Sequence, residues 1–216
     1  MGAIEVSDKL ISFLIFLPLF FVSIAVHEFA HAFTAAKYGD DTAKKLGRMT
    51  LNPLKHLDLI GSLVMPLISF ASGFLIIGWA KPVPVNRKKF KDPLKHDAIV
   101  TAAGPVSNFI MAVFFFIILL VLQKSGYANS GITANIFWMA VYFNIFLFAF
   151  NLLPIPPLDG SHILFDLFPN KYTAKLLSLS SYGMIIMLVF IFSPLWGYFI
   201  KFIDLIARMF VTISGY

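Results

Sequence analysis

The stretch LISFLIFLPLFFVSIAVHEFAHAF, residues 10–33, decides how the rest of the chain is read. Up to Val26 it holds apolar side chains, interrupted only by Ser12, Pro18 and Ser23. A run of that kind approaches the ~20 apolar residues that cross a bilayer core. Then His27, Glu28 and His31 appear inside it. A charged side chain at the centre of a membrane helix costs ~2.5–3.5 kcal/mol to insert, so ionisable residues in such a run point to function by default. Two readings stand at this stage. The three side chains hold a metal ion for chemistry, or they are a hydrogen-bonded cluster that keeps helices together. The second task needs only one modest polar group such as Ser or Asn.

Composition settles the broad class. The 216 residues are 59% hydrophobic and 13% charged, whereas a soluble domain is about one quarter charged. An all-α polytopic membrane protein is expected. There is no cysteine, which excludes disulfides and thiolate metal ligands, so any zinc must be held by His, Asp or Glu. The net charge of +6 comes from residues in the links between apolar spans. The placing of cytoplasmic loops explains it more simply than a nucleic-acid partner, and none is expected. The first run reads as a retained helix rather than a cleaved leader. Lys9 is offset by Glu5 and Asp8, and a cut near VSIAVHEFAHA would break the polar cluster.

Apolar spans fall at about 10–36, 59–80, 98–122, 132–153 and 175–193, with a shorter one at about 196–213. That gives about five to six transmembrane or re-entrant segments in a single integral membrane domain over 1–216. The links 37–58 and 81–97 are both basic. One carries Lys37, Lys44, Lys45, Arg48 and Lys55; the other carries Lys81, Arg87, Lys88, Lys89, Lys91 and Lys95. The positive-inside rule puts both in the cytoplasm. The span 59–80 between them then cannot cross once, and with Pro66 and Gly73 it could bend into a re-entrant hairpin. The alternative is an ordinary span with one loop that violates the rule. Lys81–Asn86, KPVPVN, could form a small membrane-associated β element near 80–86, since prolines in sheets are confined to edges. It could equally be a basic loop.

In H-E-F-A-H, His27 and His31 are one helical turn apart and can bind one ion, with Glu28 beside them to accept a proton from water. A catalytic zinc takes three protein ligands, so a further carboxylate is needed. Asp40, Asp41, Asp58, Asp92 and Asp97 lie in basic links and read as solvated loop residues, while Asp204 pairs with Arg208 four residues on. The outstanding candidate is Asp159 in FNLLPIPPLDGSHIL, residues 150–164. Prolines 154, 156 and 157 end the span there, and Gly160 permits a tight backbone path beside the aspartate. Such broken backbone lines a cavity, not a lipid face; an interfacial turn is the plainer reading.

These segments together resemble the site-2 protease family of intramembrane zinc metalloproteases, peptidase family M50. Its H-E-x-x-H stands at His27–His31 and its N-x-x-P-x-P-x-L-D-G at Asn151–Gly160. Its G-P-x-x-N stands at Gly104–Asn108, and GWAKPVPVN, residues 78–86, is similar to the version in a small bacterial subgroup without PDZ or CBS domains. The resemblance implies that His27, His31 and Asp159 bind one catalytic Zn2+, that Glu28 is the general base, and that Asn151 positions substrate or its oxyanion. Asn108 matches a family position near the site, and His162, three residues after Asp159, is a candidate supporting group or rival ligand. The implied activity is hydrolysis of peptide bonds in or near transmembrane segments of membrane proteins. The active site would face the cytoplasmic side of a bacterial inner membrane. Family substrates include anti-sigma factors, pre-trimmed membrane precursors and signal-peptide remnants. A metal transporter and an inactive protease-like scaffold are the alternatives. The compact ligand set without a repeat, and the presence of Glu28, speak against both.

Overall fold

Hydrocarbon offers backbone amides no partner, so apolar spans must satisfy their own hydrogen bonds as helices. The computed structural model describes residues 2–72, 78–127 and 131–214, and every regular element among them is helical. They are α1 (Gly2–Lys37), α2 (Thr42–Lys45), α3 (Met65–Ser72), α4 (Pro93–Lys124), α5 (Ile132–Asn151), α6 (Asp159–Leu167), α7 (Lys171–Ser178), α8 (Gly183–Ile191) and α9 (Pro194–Ser214). Four helical stretches are long and apolar enough to cross a membrane: Phe13–Lys37, Pro93–Lys124, Ile132–Asn151 and Lys171–Ile191. The last joins α7 to α8 through a 3-10 turn. The expected count of five to six rested on also counting 59–80 and 196–213. The first is a shorter apolar helix, Leu59–Ala71. The second is α9, whose Lys201, Asp204 and Arg208 lower its apolar character.

α1, α4 and α5 form the centre of the bundle. Small buried residues line their contacts, among them Ala25, Ala32 and Ala35 on α1, Gly104 and Ala112 on α4, and Ala140 and Ala149 on α5. Small side chains let helix backbones approach where lipid supplies no hydrophobic drive to associate. Outward, Val106, Ile110, Phe114, Ile117 and Val121 lie exposed three and four residues apart along α4. That is one helical stripe, apolar because it faces lipid. α9 packs onto α5 through Phe199 and Ile203, among the rings of Phe146, Phe150, Phe190 and Trp196.

α4 starts earlier than its apolar run. Asp92 caps it by accepting from Lys95 N at 3.1 Å, and Pro93 takes the first turn, where a missing amide costs nothing. Asp97 therefore lies inside the helix and is buried, not in a solvated link, and Asp40 is buried as well. Arg87 explains the first and Asn86 the second, as described below. Asp204 is bonded by the Tyr142 hydroxyl at 2.8 Å, so its partner is on α5 and not one turn along its own helix.

The segment 59–80 opens as a π-helical turn over Leu59–Val64 and continues as α3. Asp58 caps it, accepting from Gly61 N at 2.7 Å. Fourteen residues of helix (59–72) rise about 20 Å, short of the ~30 Å hydrocarbon core. Residues 73–77 lie outside the described residues, and the chain beyond them is back at the start of the segment. Trp79 N donates to Gly61 O at 3.0 Å, and Ser62 Oγ donates to Trp79 O at 2.8 Å. A Cβ on Gly61 would stand 2.4 Å from the Trp79 indole, so this close return requires glycine.

The β element expected near 80–86 is absent as a sheet: no strand occurs among the described residues. Residues 78–86 instead form an irregular strap whose amides bond to scattered partners. Lys81 N donates to His56 O at 2.9 Å, and Asn86 N donates to Asp40 Oδ2 at 2.6 Å. Pro82 and Pro84 have no amide to give. Arg48 holds the strap from the other side, donating to Lys81 O at 2.7 Å.

Asp40 anchors both loops just beyond α1. Burial alone would push its carboxyl up, but bonds from Asn86 N, Thr42 and Lys89 outweigh that and hold it below the usual carboxylate range. Because the folded group is the stronger acid, its contribution is complete above the unfolded value near ~4 and is lost as pH falls through the folded one. Asp40→Ala should cost on the order of 1–3 kcal/mol at neutral pH. Thermal melts of both proteins from pH 7 to pH 3 should show the gap narrowing as the pH falls. A gap that is constant across that range would contradict the account.

Candidate metal centre

α1 sets His27 and His31 one turn apart, and their rings meet edge-on with Nε2 atoms 3.0 Å from one another. Each Nδ1 is already engaged. His27 Nδ1 bonds to Asn108 Oδ1 at 2.6 Å and His31 Nδ1 to Val100 O at 2.8 Å, both on α4. Carbonyl oxygens only accept, so both imidazoles carry their proton on Nδ1 and present a bare Nε2 lone pair. Asp159 Oδ2 lies 3.2 Å from the first Nε2 and 3.5 Å from the second.

Three acceptors thus face one another with no donor between them. Asp159 Oδ2 is buried and has no hydrogen-bond partner. A bound metal cation would satisfy all three at once. The separations of 3.0, 3.2 and 3.5 Å match the edge of a tetrahedron around zinc, about 3.3 Å for ligand bonds near ~2.0–2.1 Å. His27, His31 and Asp159 are the one group of potential ligands of this kind among the described residues. The residues present fit zinc.

Asp159 arrives by a path that depends on the prolines and on Gly160. α5 ends at Asn151, and the prolines carry the chain through a short irregular turn to α6, which Asp159 opens. α6 then sits directly on the end of α5. A Cβ on Gly160 would lie 2.3 Å from Leu152 O and 2.4 Å from Leu153 O.

Glu28, next on α1, is 8% exposed and points to the strap, where its Oε2 accepts from Val83 N at 2.7 Å. Asn151 donates back to Leu147 O at 2.9 Å on its own helix and is not bonded to the three ligands. His162 is outside the ligand group, half-buried on α6. Burial lowers its pKa from the ordinary value, with Asp97 opposing. Asn108 is brought to the site directly, on His27.

Four residues at or beside the centre carried no chemical signal in the sequence. Gly104 lies against the rings: a Cβ there would be 2.3 Å from His31 Nε2 and 2.6 Å from His27 Nε2. Its motif was visible, though nothing in it spelled out empty space. Ser23 and Asn144 surround Asn108 from α1 and α5. Arg87 follows the strap and pairs with Asp97 of α4 at 2.9 Å and with Asp166 of α6, its guanidinium also 5.7 Å from the Phe165 ring.

The family model described as peptidase family M50 matches residues 15–130 and 122–193. The chain belongs to that family. It is 45% identical over 181 residues to YwhC of Bacillus subtilis (strain 168), named as a zinc metalloprotease, which covers 82% of this chain and 80% of the relative. Rip2 of Mycolicibacterium smegmatis, named in the same way, is 31% identical over 186 residues, 84% of this chain and 68% of the relative. No solved structure matches. The M50 protein is therefore a zinc metalloprotease of the site-2 type, embedded in the membrane by its apolar helices.

Gly104→Ala tests the fit. Alanine is the better helix former by ~1 kcal/mol, so α4 should persist, while the added methyl occupies the space between the two Nε2 atoms. Purified Gly104→Ala protein should keep its helical circular dichroism and lose its zinc in elemental analysis. Full zinc occupancy in that variant would place the metal elsewhere.

Proposed function

We propose that this M50 protein hydrolyses peptide bonds in or beside transmembrane segments of membrane-protein substrates, with His27, His31 and Asp159 as zinc ligands. The observation that carries this reading is the donorless convergence of two imidazoles, on a helix long and apolar enough to cross a membrane, with the carboxylate that opens α6. Zinc held there supplies a Lewis acid that polarises a carbonyl and lowers the pKa of water. Glu28 takes the proton from the attacking water and delivers it to the departing amine nitrogen. Asn151 turns its amide from Leu147 O toward the substrate, where it helps to hold the developing oxyanion.

A helical substrate hides its amides and must be drawn out before attack. The strap 78–86 suits that task. It carries no ladder partner among the described residues, and Pro82 and Pro84 leave Val83 as the amide beside Glu28. A substrate segment lying extended along the strap would present its carbonyl next to the general base. Depth supports the same picture. His31 lies ~9 Å of helix from Lys37, and the flanking basic links support a cytoplasmic position for that end of α1 under the positive-inside rule. Water then reaches the zinc from the cytoplasmic side of a bacterial inner membrane. The return of Trp79 to Gly61 supports a re-entrant course for 59–80, which keeps both basic links on that side.

Glu28→Gln separates binding from chemistry. In proteoliposomes holding a single-span substrate, the variant should retain zinc and lose cleavage by at least 100-fold, the scale of a removed acid–base group. Cleavage that continues in Glu28→Gln would remove Glu28 as the base. Cleavage confined to a soluble peptide would remove the intramembrane reading.

A further inference from the structure

One ligand is held in its working form by a side chain that could turn around. The protein proton of His31 is fixed by the Val100 carbonyl, which can only accept. His27 instead bonds to the amide of Asn108, whose two ends have opposite chemistry. Were that amide reversed, its NH2 would face Nδ1, the ring proton would move to Nε2, and the lone pair meant for the metal would vanish. Something must set the amide's direction.

Asn108, Asn144 and Ser23 sit on α4, α5 and α1, and each is fully buried. Asn144 Nδ2 donates to Ala140 O at 2.9 Å and to Ser23 Oγ at 3.0 Å. The Ala140 carbonyl accepts only, so the Asn144 amide has one allowed direction and its Oδ1 faces Asn108. Asn108 Nδ2 donates to that Oδ1 at 3.2 Å and to Ser23 O at 3.2 Å. Both donors of Asn108 are thereby spent on acceptors, and its oxygen is left for His27. We infer that Asn144 is a positioning residue for the zinc site: through Asn108 it sets the tautomer of His27. The direction runs from two backbone carbonyls, Ala140 O on α5 acting through Asn144 and Ser23 O on α1 acting directly, to a ligand on α1. This inference rests on the reading of His27 as a zinc ligand. It differs from simple helix packing because packing needs the bonds but not their polarity.

The polarity gives the test. Asn144→Leu removes one of the two acceptors that direct Asn108, leaving Ser23 O, and keeps the volume. Asn108→Asp makes that direction unnecessary, because a carboxylate accepts at both oxygens and holds the Nδ1 proton in either orientation. Zinc affinity would be measured by chelator competition and the folded state by the thermal midpoint of the metal-free protein. For Asn144→Leu we expect zinc affinity to fall ~10–100-fold, the usual effect of losing a group that orients a ligand, with a metal-free midpoint near the parent's. The double variant Asn108→Asp, Asn144→Leu should recover most of that affinity. Unchanged affinity in Asn144→Leu overturns the inference. So does a double variant that binds worse than Asn144→Leu, or loss of the folded metal-free protein in both, either of which assigns the cluster to packing. His27→Ala distinguishes the two levels. If it binds zinc like the parent, the ligand reading fails; if it loses zinc while Asn144→Leu keeps it, only the present inference fails.

Discussion

The structure depends on an arrangement that is unfavourable by itself. Two imidazole lone pairs and a carboxylate oxygen are aimed at one point inside a helical bundle, within 3.5 Å of one another and without a donor. In hydrocarbon such a cluster costs several kcal/mol, and nothing in packing requires it. It persists because each member is held from behind. Val100 and Asn108 fix the rings, and the prolines with Gly160 drive Asp159 into place. A cation turns the cost into binding, since pre-oriented ligands lose little freedom when the metal arrives.

The strap extends the same logic to the chemistry beside the metal. Its course is fixed at three depths: by Trp79 against Gly61, by Arg48 on Lys81 O, and by Asp40 on Asn86 N. Between these points Val83 is delivered to Glu28. Arg87 then continues the strap into the bundle, with Asp97 on one side and Asp166 on the other. Two buried carboxylates without that guanidinium would repel one another across the α4–α6 contact, and breaking a buried pair is strongly destabilising. One cation thus ties the element that faces Glu28 to the helix that begins with Asp159.

Much of this was legible in the residues, and the reasons differ by position. His27 and His31 announce themselves by helical spacing, and Asp159 by a proline-broken turn where a span should end smoothly. Long apolar runs fix helices because bilayer chemistry leaves no other choice. Less legible was what depends on contacts between distant helices. Asn144 is one polar residue in an apolar span and carries no local pattern; only Ala140, Ser23 and Asn108 around it give it meaning. Gly104 is informative through the side chain it lacks. Asp97 and Asp40 read as solvated because they neighbour many lysines, whereas burial against Arg87 and Asn86 decides their state. The strap alternates like an edge strand, but two of its positions are prolines and its remaining amides find loop and side-chain partners, so no ladder forms.

The division of labour among the central helices follows from these contacts. α1 carries both imidazoles and Glu28, so their mutual spacing is set by one rigid element. α4 and α5 supply no ligand; α4 supplies the two acceptors, Val100 O and Asn108 Oδ1, that decide which ring nitrogen is free, and α5 supplies Asn144 behind Asn108. Asp159 alone comes from the first residue of a helix, just after an irregular turn, and its carboxylate has two equivalent oxygens and is therefore the least dependent on orientation. The residues most sensitive to proton placement are thus on helices. The most tolerant one sits where the backbone must bend, at the junction of α5 and α6. A site that must be open on one side and rigid on the other is best built in that order.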